Sequence, residues 1–242
     1  GDTGSGFDGI DASSANTTTL RSAGNLTLQG YSYAASGSGR GVDLNNDVIA
    51  ASGTVSMTGQ HNTGATYALS LSGSTSITAG TGVTLESLNN NTGTIALLSS
   101  GGINGGSGTV LMRAANYAFG GADRTITTTG VLTIQPDADE NSFASSFDNQ
   151  YLNPVSVTGL TLGKSSNASA ITLSRAISLS GPVSIYGGSI DVNANITANS
   201  GNILLDADTG STLNQSSTGI LLDDAITIET CLLYTSPSPR DP

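Results

Sequence analysis

The chain has no tryptophan, one histidine and one lysine, and its single cysteine, Cys231, falls among the last twelve residues. Residues 1–230 are therefore cysteine-free, which excludes disulfides, a thiolate nucleophile and Cys-ligated metal from the body of the chain. Charge is scarce as well: 10% of the 242 residues are charged, against about 25% in an ordinary soluble domain. Seven Lys and Arg against 18 Asp and Glu leave a net charge of −11. Nucleic-acid affinity rests on cationic side chains neutralising phosphates, so that class of partner is excluded, and anionic membrane surfaces are disfavoured for the same reason. No apolar run approaches the ~18 residues of a transmembrane helix, and the chain opens with neither a signal peptide nor an initiating Met, as a fragment of something longer would. With so few charges, the surface must be built from Ser, Thr, Asn and Gly.

What the chain does have is one short phrase repeated seven times: Gly, any residue, an aliphatic residue, any residue, another aliphatic residue. It reads Gly24-Asn-Leu26-Thr-Leu28, Gly53-Thr-Val55-Ser-Met57, Gly93-Thr-Ile95-Ala-Leu97 and Gly108-Thr-Val110-Leu-Met112. It returns as Gly130-Val-Leu132-Thr-Ile134, Gly181-Pro-Val183-Ser-Ile185 and Gly201-Asn-Ile203-Leu-Leu205. In six of the seven, Ser or Thr precedes the glycine. A glycine corner followed by in–out–in alternation predicts a very short strand, and its recurrence predicts stacked coils.

Spacing supplies the metre. Val42-Asp-Leu-Asn-Asn-Asp-Val48 with the following Gly53-Thr-Val55 aligns without gaps on Ile190-Asp-Val-Asn-Ala-Asn-Ile196 and Gly201-Asn-Ile203. The steps from Ile171 to Ile190, from Ile177 to Ile196 and from Val183 to Ile203 are equal to within one position. Three short strands per coil of about 20 residues predict an all-β chain folded as a right-handed, three-sided parallel β-helix. At that length residues 1–230 make about eleven coils, a rod of roughly 50 Å. Ile190 and Val192 are expected to point inward and Asp191 outward, with Ser, Thr and Asn forming ladders along the outside.

Four regions follow. Residues 1–112 carry repeats behind an irregular edge at 1–19, and 159–230 carry repeats again. Between them, 113–158 loses the beat and gathers Tyr117, Phe119, Phe143, Phe147 and Tyr151 with the acidic run Asp137-Ala-Asp139-Glu140. It is read as an excursion whose aromatic rings pack back onto the rod. Residues 231–242 are set apart from the fold: Cys231 to Asp241 is identical to one reading frame of a transposase-type sequencing adapter and is excluded as a non-native tail.

Chemistry is harder to find. His61, in Gly59-Gln-His-Asn-Thr-Gly64, reads as a surface-turn histidine, because a nucleophilic relay needs a base held against one particular Ser. Paired acids occur at Asp137/Asp139/Glu140, Asp206/Asp208 and Asp223/Asp224. Pectin-hydrolysing β-helices are similar in architecture and carry a double Asp, a Gly-His-Gly and an Arg-Ile-Lys; only Asp223-Asp224 echoes the first. Gly4-Ser-Gly-Phe-Asp8-Gly is the nearest match to a calcium-roll repeat, but it occurs once, and Asp137-Ala-Asp139 has Ser142 where a calcium loop needs glycine. No catalytic, cofactor-binding or metal-ligating residue is assigned, and no cofactor.

The phrases Thr158-Gly-Leu-Thr-Leu-Gly-Lys164, Ala170-Ile-Thr-Leu173, Gly181-Pro-Val-Ser-Ile-Tyr-Gly-Gly188-Ser-Ile-Asp-Val192 and Ser200-Gly-Asn-Ile-Leu-Leu205 resemble the β-strand repeats of large bacterial filamentous-haemagglutinin-like proteins. The resemblance extends over most of 1–230 and is strongest over 158–206. It implies a segment of a long rod, secreted or displayed on the outer-membrane surface, that serves as an adhesin stalk or biofilm element. The expected partners are glycans or proteins of host or neighbouring cells, or biofilm matrix, met through other parts of the full protein. Membrane insertion of this segment and enzymatic activity are not expected. The alternative is a carbohydrate-active β-helix that binds or cleaves polysaccharide along one face.

Overall fold

The computed structural model describes residues 8–12, 19–33, 39–61, 67–88, 93–98, 101–154, 156–207 and 219–230. Among them there is no helix; twenty-six strands, every pair parallel, fall into three stacks. The first face runs through Ile10–Ala12, Val42–Leu44, Leu69–Leu71, Thr94–Leu97 and Asn116–Phe119, and resumes as a separate sheet at Phe147–Asp148, Ile171–Leu173, Ile190–Val192 and Ile220–Leu222. The second runs through Leu20–Ser22, Val48–Ala50, Ile77–Ala79, Ile103–Asn104, Arg124–Thr127 and Leu152–Pro154, then Ile177–Leu179, Ile196–Ala198 and Ile228–Thr230. The third is one unbroken eight-stranded sheet: Leu26–Ser32, Val55–His61, Val83–Ser87, Val110–Arg113, Val131–Gln135, Gly159–Leu162, Val183–Gly187 and Ile203–Ala207. This is the three-sided parallel solenoid that the glycine phrase predicts.

Burial follows the alternation. Along the third face Leu26, Val55, Val83, Val110, Leu132, Leu160, Val183 and Ile203 occupy one rung, and Leu28, Met57, Leu85, Met112, Ile134, Leu162, Ile185 and Leu205 the next. Between the end coils these side chains are buried in a single aliphatic core. Ile190 and Val192 point inward and Asp191 is half-buried on the outer side, as alternation requires.

The metre is longer than the sequence suggests. Of the steps along the first rung, only the last, Val183 to Ile203, keeps the short coil that the spacing predicts. The longest, Leu26 to Val55, Val55 to Val83 and Leu132 to Leu160, carry extended corners between the third and first faces. The described strands make eight three-stranded coils and two strands of a ninth, not eleven, so the stack is about 40 Å tall at ~4.8 Å per coil. The excursion is also narrower than 113–158. Strands Asn116–Phe119, Arg124–Thr127, Val131–Gln135, Phe147–Asp148 and Leu152–Pro154 all pair in register with neighbouring coils, leaving 136–146 as the interruption. Strand Ile10–Ala12, inside the edge read as irregular, pairs with Val42–Leu44. The tail read as adapter, 231–242, lies outside the described residues.

The phrase glycines serve close approach between coils rather than an unusual φ; none of those described has a positive φ. A Cβ on Gly108 would lie 1.7 Å from the Thr81 carbonyl oxygen, on Gly130 2.4 Å from that of Gly108, and on Gly181 1.8 Å from that of Thr158. In each case the obstruction is backbone of the preceding coil. Gly24 sits in the first described coil and meets nothing within 4 Å. The preceding Ser or Thr completes the corner: the hydroxyls of Ser52, Ser107 and Ser200 donate to the carbonyls of Ala23, Gly80 and Ser180, again one coil back.

Candidate binding notch and acidic cluster

In Asn116-Tyr-Ala-Phe119 the rung positions filled by Ile95 and Leu97 one coil earlier are taken by Tyr117 and Phe119. Rings are too large for the aliphatic stack, and the first-face ladder stops here, resuming only at Phe147. Phe143 and Phe147, each 4% exposed, fill the gap. Tyr117 meets both edge-on, with centroids 5.9 and 5.5 Å apart, and Phe143 stacks on Phe147 at 5.4 Å. These geometries favour the ring quadrupoles, so this pair packs against the rod as the sequence predicts. The segment 136–146 is tied down by Ala144 N–H to Ala115 O at 2.9 Å and Phe143 N–H to Asn167 Oδ1 at 3.2 Å. The Tyr117 hydroxyl donates to Gln135 O at 3.1 Å, and burial pushes its pKa well above the ordinary tyrosine value.

A notch of about 190 Å³ remains open over this cluster, lined by the rings of Tyr117, Phe119, Phe147 and Tyr151 and by Asn116 and Gln150. Its floor is apolar and its rim carries amide groups. A second shallow groove borders the third face beside Tyr31, which packs 4.1 Å from the exposed Tyr33.

The acidic candidates sit in different settings among the described residues. Asp137 is buried, and burial raises its pKa from the usual carboxylate value; its Oδ1 accepts the Ala138 N–H at 2.5 Å. The only lysine, Lys164, donates to the Asp137 and Glu140 carbonyls, so it caps a turn instead of pairing with a carboxylate. Asp223 and Asp224 are exposed in the turn after Ile220–Leu222, where Asp223 Oδ1 accepts the Asp224 N–H at 2.8 Å. Asp206 is half-buried on the third face, and Asp208 lies outside the described residues. His61 differs from the surface-turn reading. It ends the strand Val55–His61 at an inward position, 4% exposed, because the alternation continues two residues past Gly59.

Two charged features escape any local reading of the sequence. Arg124 points into the core, fully buried, and its Nη1 donates to Thr75 O at 3.0 Å across an intervening coil. Gly101 makes room for it: a Cβ there would lie 1.8 Å from Thr75 O and 2.9 Å from Arg124 Nη1. Burial lowers the Arg124 pKa from the ordinary guanidinium value to about 10. The other feature is an acidic trio. Asp8, Asp11 and Asp43 each place one carboxylate oxygen within 4.8 Å of the other two, the sole such trio of His, Cys, Asp or Glu among the described residues. Asp11 and Asp43 are paired in register at the middle of Ile10–Ala12 and Val42–Leu44. The shared pattern of aliphatic, Asp, aliphatic in those two strands was the available signal. Of the calcium-roll match, Asp8 and Gly9 are described and Gly4 to Phe7 are not.

The described residues thus present a rod with an aromatic notch on one face and a carboxylate trio near its first coil. No protein-family model, curated protein or solved structure matches the chain.

Proposed function

We propose that this chain is a segment of a secreted or surface-displayed bacterial rod, an adhesin stalk or biofilm element whose role is mechanical. The observation that carries this reading is the unbroken eight-stranded third face. Its backbone hydrogen bonds run along the stacking direction and its rungs form one continuous core, an arrangement that gives stiffness and length. The sparse charge and Ser/Thr corners suit a surface exposed to water over its whole length. Adhesion to glycans or proteins of other cells, or to matrix, is then the work of the assembly the rod supports. The test is an epitope inserted at the exposed corner Gly121, where nothing crowds the backbone, in the bacterium that carries the gene. Labelling of intact cells, with loss of adherence or biofilm on deletion, supports the reading. Labelling only after permeabilisation overturns it.

The notch favours a second reading, carbohydrate binding, because a ring-lined floor with an amide rim suits the apolar and hydroxylated faces of a sugar. Release of reducing ends from a polysaccharide panel, abolished by Asp223→Ala or Asp224→Ala, would make the chain an enzyme and displace the mechanical reading.

A further inference from the structure

The trio at the first coil has a property that solvated acids lack. Asp43 is the middle residue of its strand and alternation points it outward, yet its side chain is only 3% exposed. Arg40 and Tyr67 lie over this region, the Arg40 guanidinium pairing with Asp43 Oδ2 and resting 5.8 Å from the Tyr67 ring centroid. The other carboxylate oxygen, Asp43 Oδ1, is buried with no hydrogen-bond partner. Such an atom carries a desolvation cost of about 1–3 kcal/mol, more when charged, and native structures rarely leave one unsatisfied. Asp8 is half-buried beside it and accepts the Arg40 backbone N–H. Three carboxylates share this partly dry site with the Arg40 guanidinium.

We propose that Asp8, Asp11 and Asp43 bind a divalent cation of the calcium class, which clamps strand Ile10–Ala12 to Val42–Leu44. The donors are all carboxylate oxygens, which select a hard cation over zinc or copper. Calcium, with bonds of about 2.3–2.6 Å, spans oxygens up to about 5 Å apart, whereas magnesium at about 2.0–2.1 Å spans only about 4 Å. Magnesium also demands near-ideal octahedral geometry and sheds its water reluctantly, so a cluster of three carboxylates completed by water favours the larger ion. Three protein carboxylates leave room for water, so affinity belongs in the weak range of extracellular modules, a Kd of about 0.1–1 mM. The clamp would join the first coil, with its short strand and half-buried apolar residues Ile10 and Ala12, to the second. This inference does not rest on the mechanical reading above.

Calorimetric titration of the 242-residue chain with calcium chloride tests it, with magnesium chloride at matched ionic strength as the control. The expected result is one saturable site with sub-millimolar to millimolar affinity, weaker with magnesium, and slowed hydrogen exchange at Asp11 and Ala12 when calcium is added. Asp11→Asn, at an exposed position whose loss leaves the core intact, should weaken calcium binding at least tenfold, and Asp43→Asn should abolish it. No heat and no exchange protection at calcium concentrations on the order of 10 mM, well above the expected Kd, overturns the proposal. Binding that survives Asp11→Asn unchanged also overturns it, by placing the ion elsewhere.

Discussion

Replacing Gly108 and Gly24 by alanine separates two meanings of the same phrase. At Gly108 the new methyl would lie 1.7 Å from the Thr81 carbonyl oxygen, where real Cβ atoms stay beyond 3.0 Å. The obstacle is backbone, held by the ladder bond from Val83 N–H to Thr109 O at 2.9 Å, so the two coils must separate by more than an ångström. Overpacking of this kind costs about 1–3 kcal/mol and more where no side chain can yield, so about 3 kcal/mol is expected at Gly108. At Gly24 nothing lies within 4 Å and φ is not positive. Alanine there restricts the unfolded chain and should stabilise by about 0.4–1 kcal/mol. The two variants should therefore differ by about 3–4 kcal/mol, or roughly 6–15 °C in melting temperature for a chain of this size. Thermal unfolding followed by far-ultraviolet circular dichroism reads it directly. Two outcomes would refute the idea that these glycines are kept for coil-to-coil approach. One is an equal effect of the two substitutions; the other is a Gly108→Ala stability within about 0.5 kcal/mol of the parent, the range of an inconsequential surface change.

Three further outcomes follow from the interior. Phe147→Ala should cost about 3–5 kcal/mol in urea denaturation, since its buried ring touches three others, whereas the rim substitution Tyr151→Ala should cost under about 1 kcal/mol and change only ligand binding, if sugar is bound. Lowering the Arg124 pKa from the ordinary guanidinium value to about 10 corresponds to about 3 kcal/mol of burial cost, offset by about 1.5–3 kcal/mol from its charged hydrogen bond. Arg124→Met should therefore fall within about 1.5 kcal/mol of the parent, while Arg124→Ala, which leaves a hole, should lose about 2–5 kcal/mol. Asp137 and Tyr117 both hold their protons more tightly in the folded chain, so each lowers stability as pH rises. Asp137→Asn should raise the unfolding midpoint at about pH 7 but not near pH 3, where the carboxyl is protonated in both states. Tyr117→Phe should flatten the loss of stability above about pH 10, where tyrosine ionises only in the unfolded chain; unchanged slopes in either variant would contradict these assignments.

The strands are legible because their signal is local. Gly130-Val-Leu132-Thr-Ile134 states its own corner, its alternation and its buried side, and six of the seven phrases lie on the third face. The remaining phrase, at Gly93, belongs to the first face. Two third-face strands escape the phrase because Val83 and Leu160 have Gly immediately before them, with Thr81 and Thr158 at the corner position. Coil length is illegible because corners carry no periodicity: 136–146 contains nothing that counts rungs. Asp43 and His61 illustrate the other limit. Alternation says which way a side chain points, but what lies over it comes from residues outside its strand, as Arg40 and Tyr67 do for Asp43. Arg124 is harder still, since its partner, Thr75, is 49 positions away.

The one-sided crowding of the corner glycines bears on how such a rod changes length. Gly108, Gly130, Gly181 and Gly201 each approach only the backbone one coil back, so these four seams present the same bare edge to the next corner. A whole coil inserted or removed between two seams restores the same contact, whatever its own corner loops contain. The short coil from Val183 to Ile203 and the long one from Leu26 to Val55 already share this seam. The gene can therefore gain or lose reach in steps of about 4.8 Å by duplicating or deleting single coils. A lone substitution at a corner glycine would instead open one plane of the stack and leave those on either side closed.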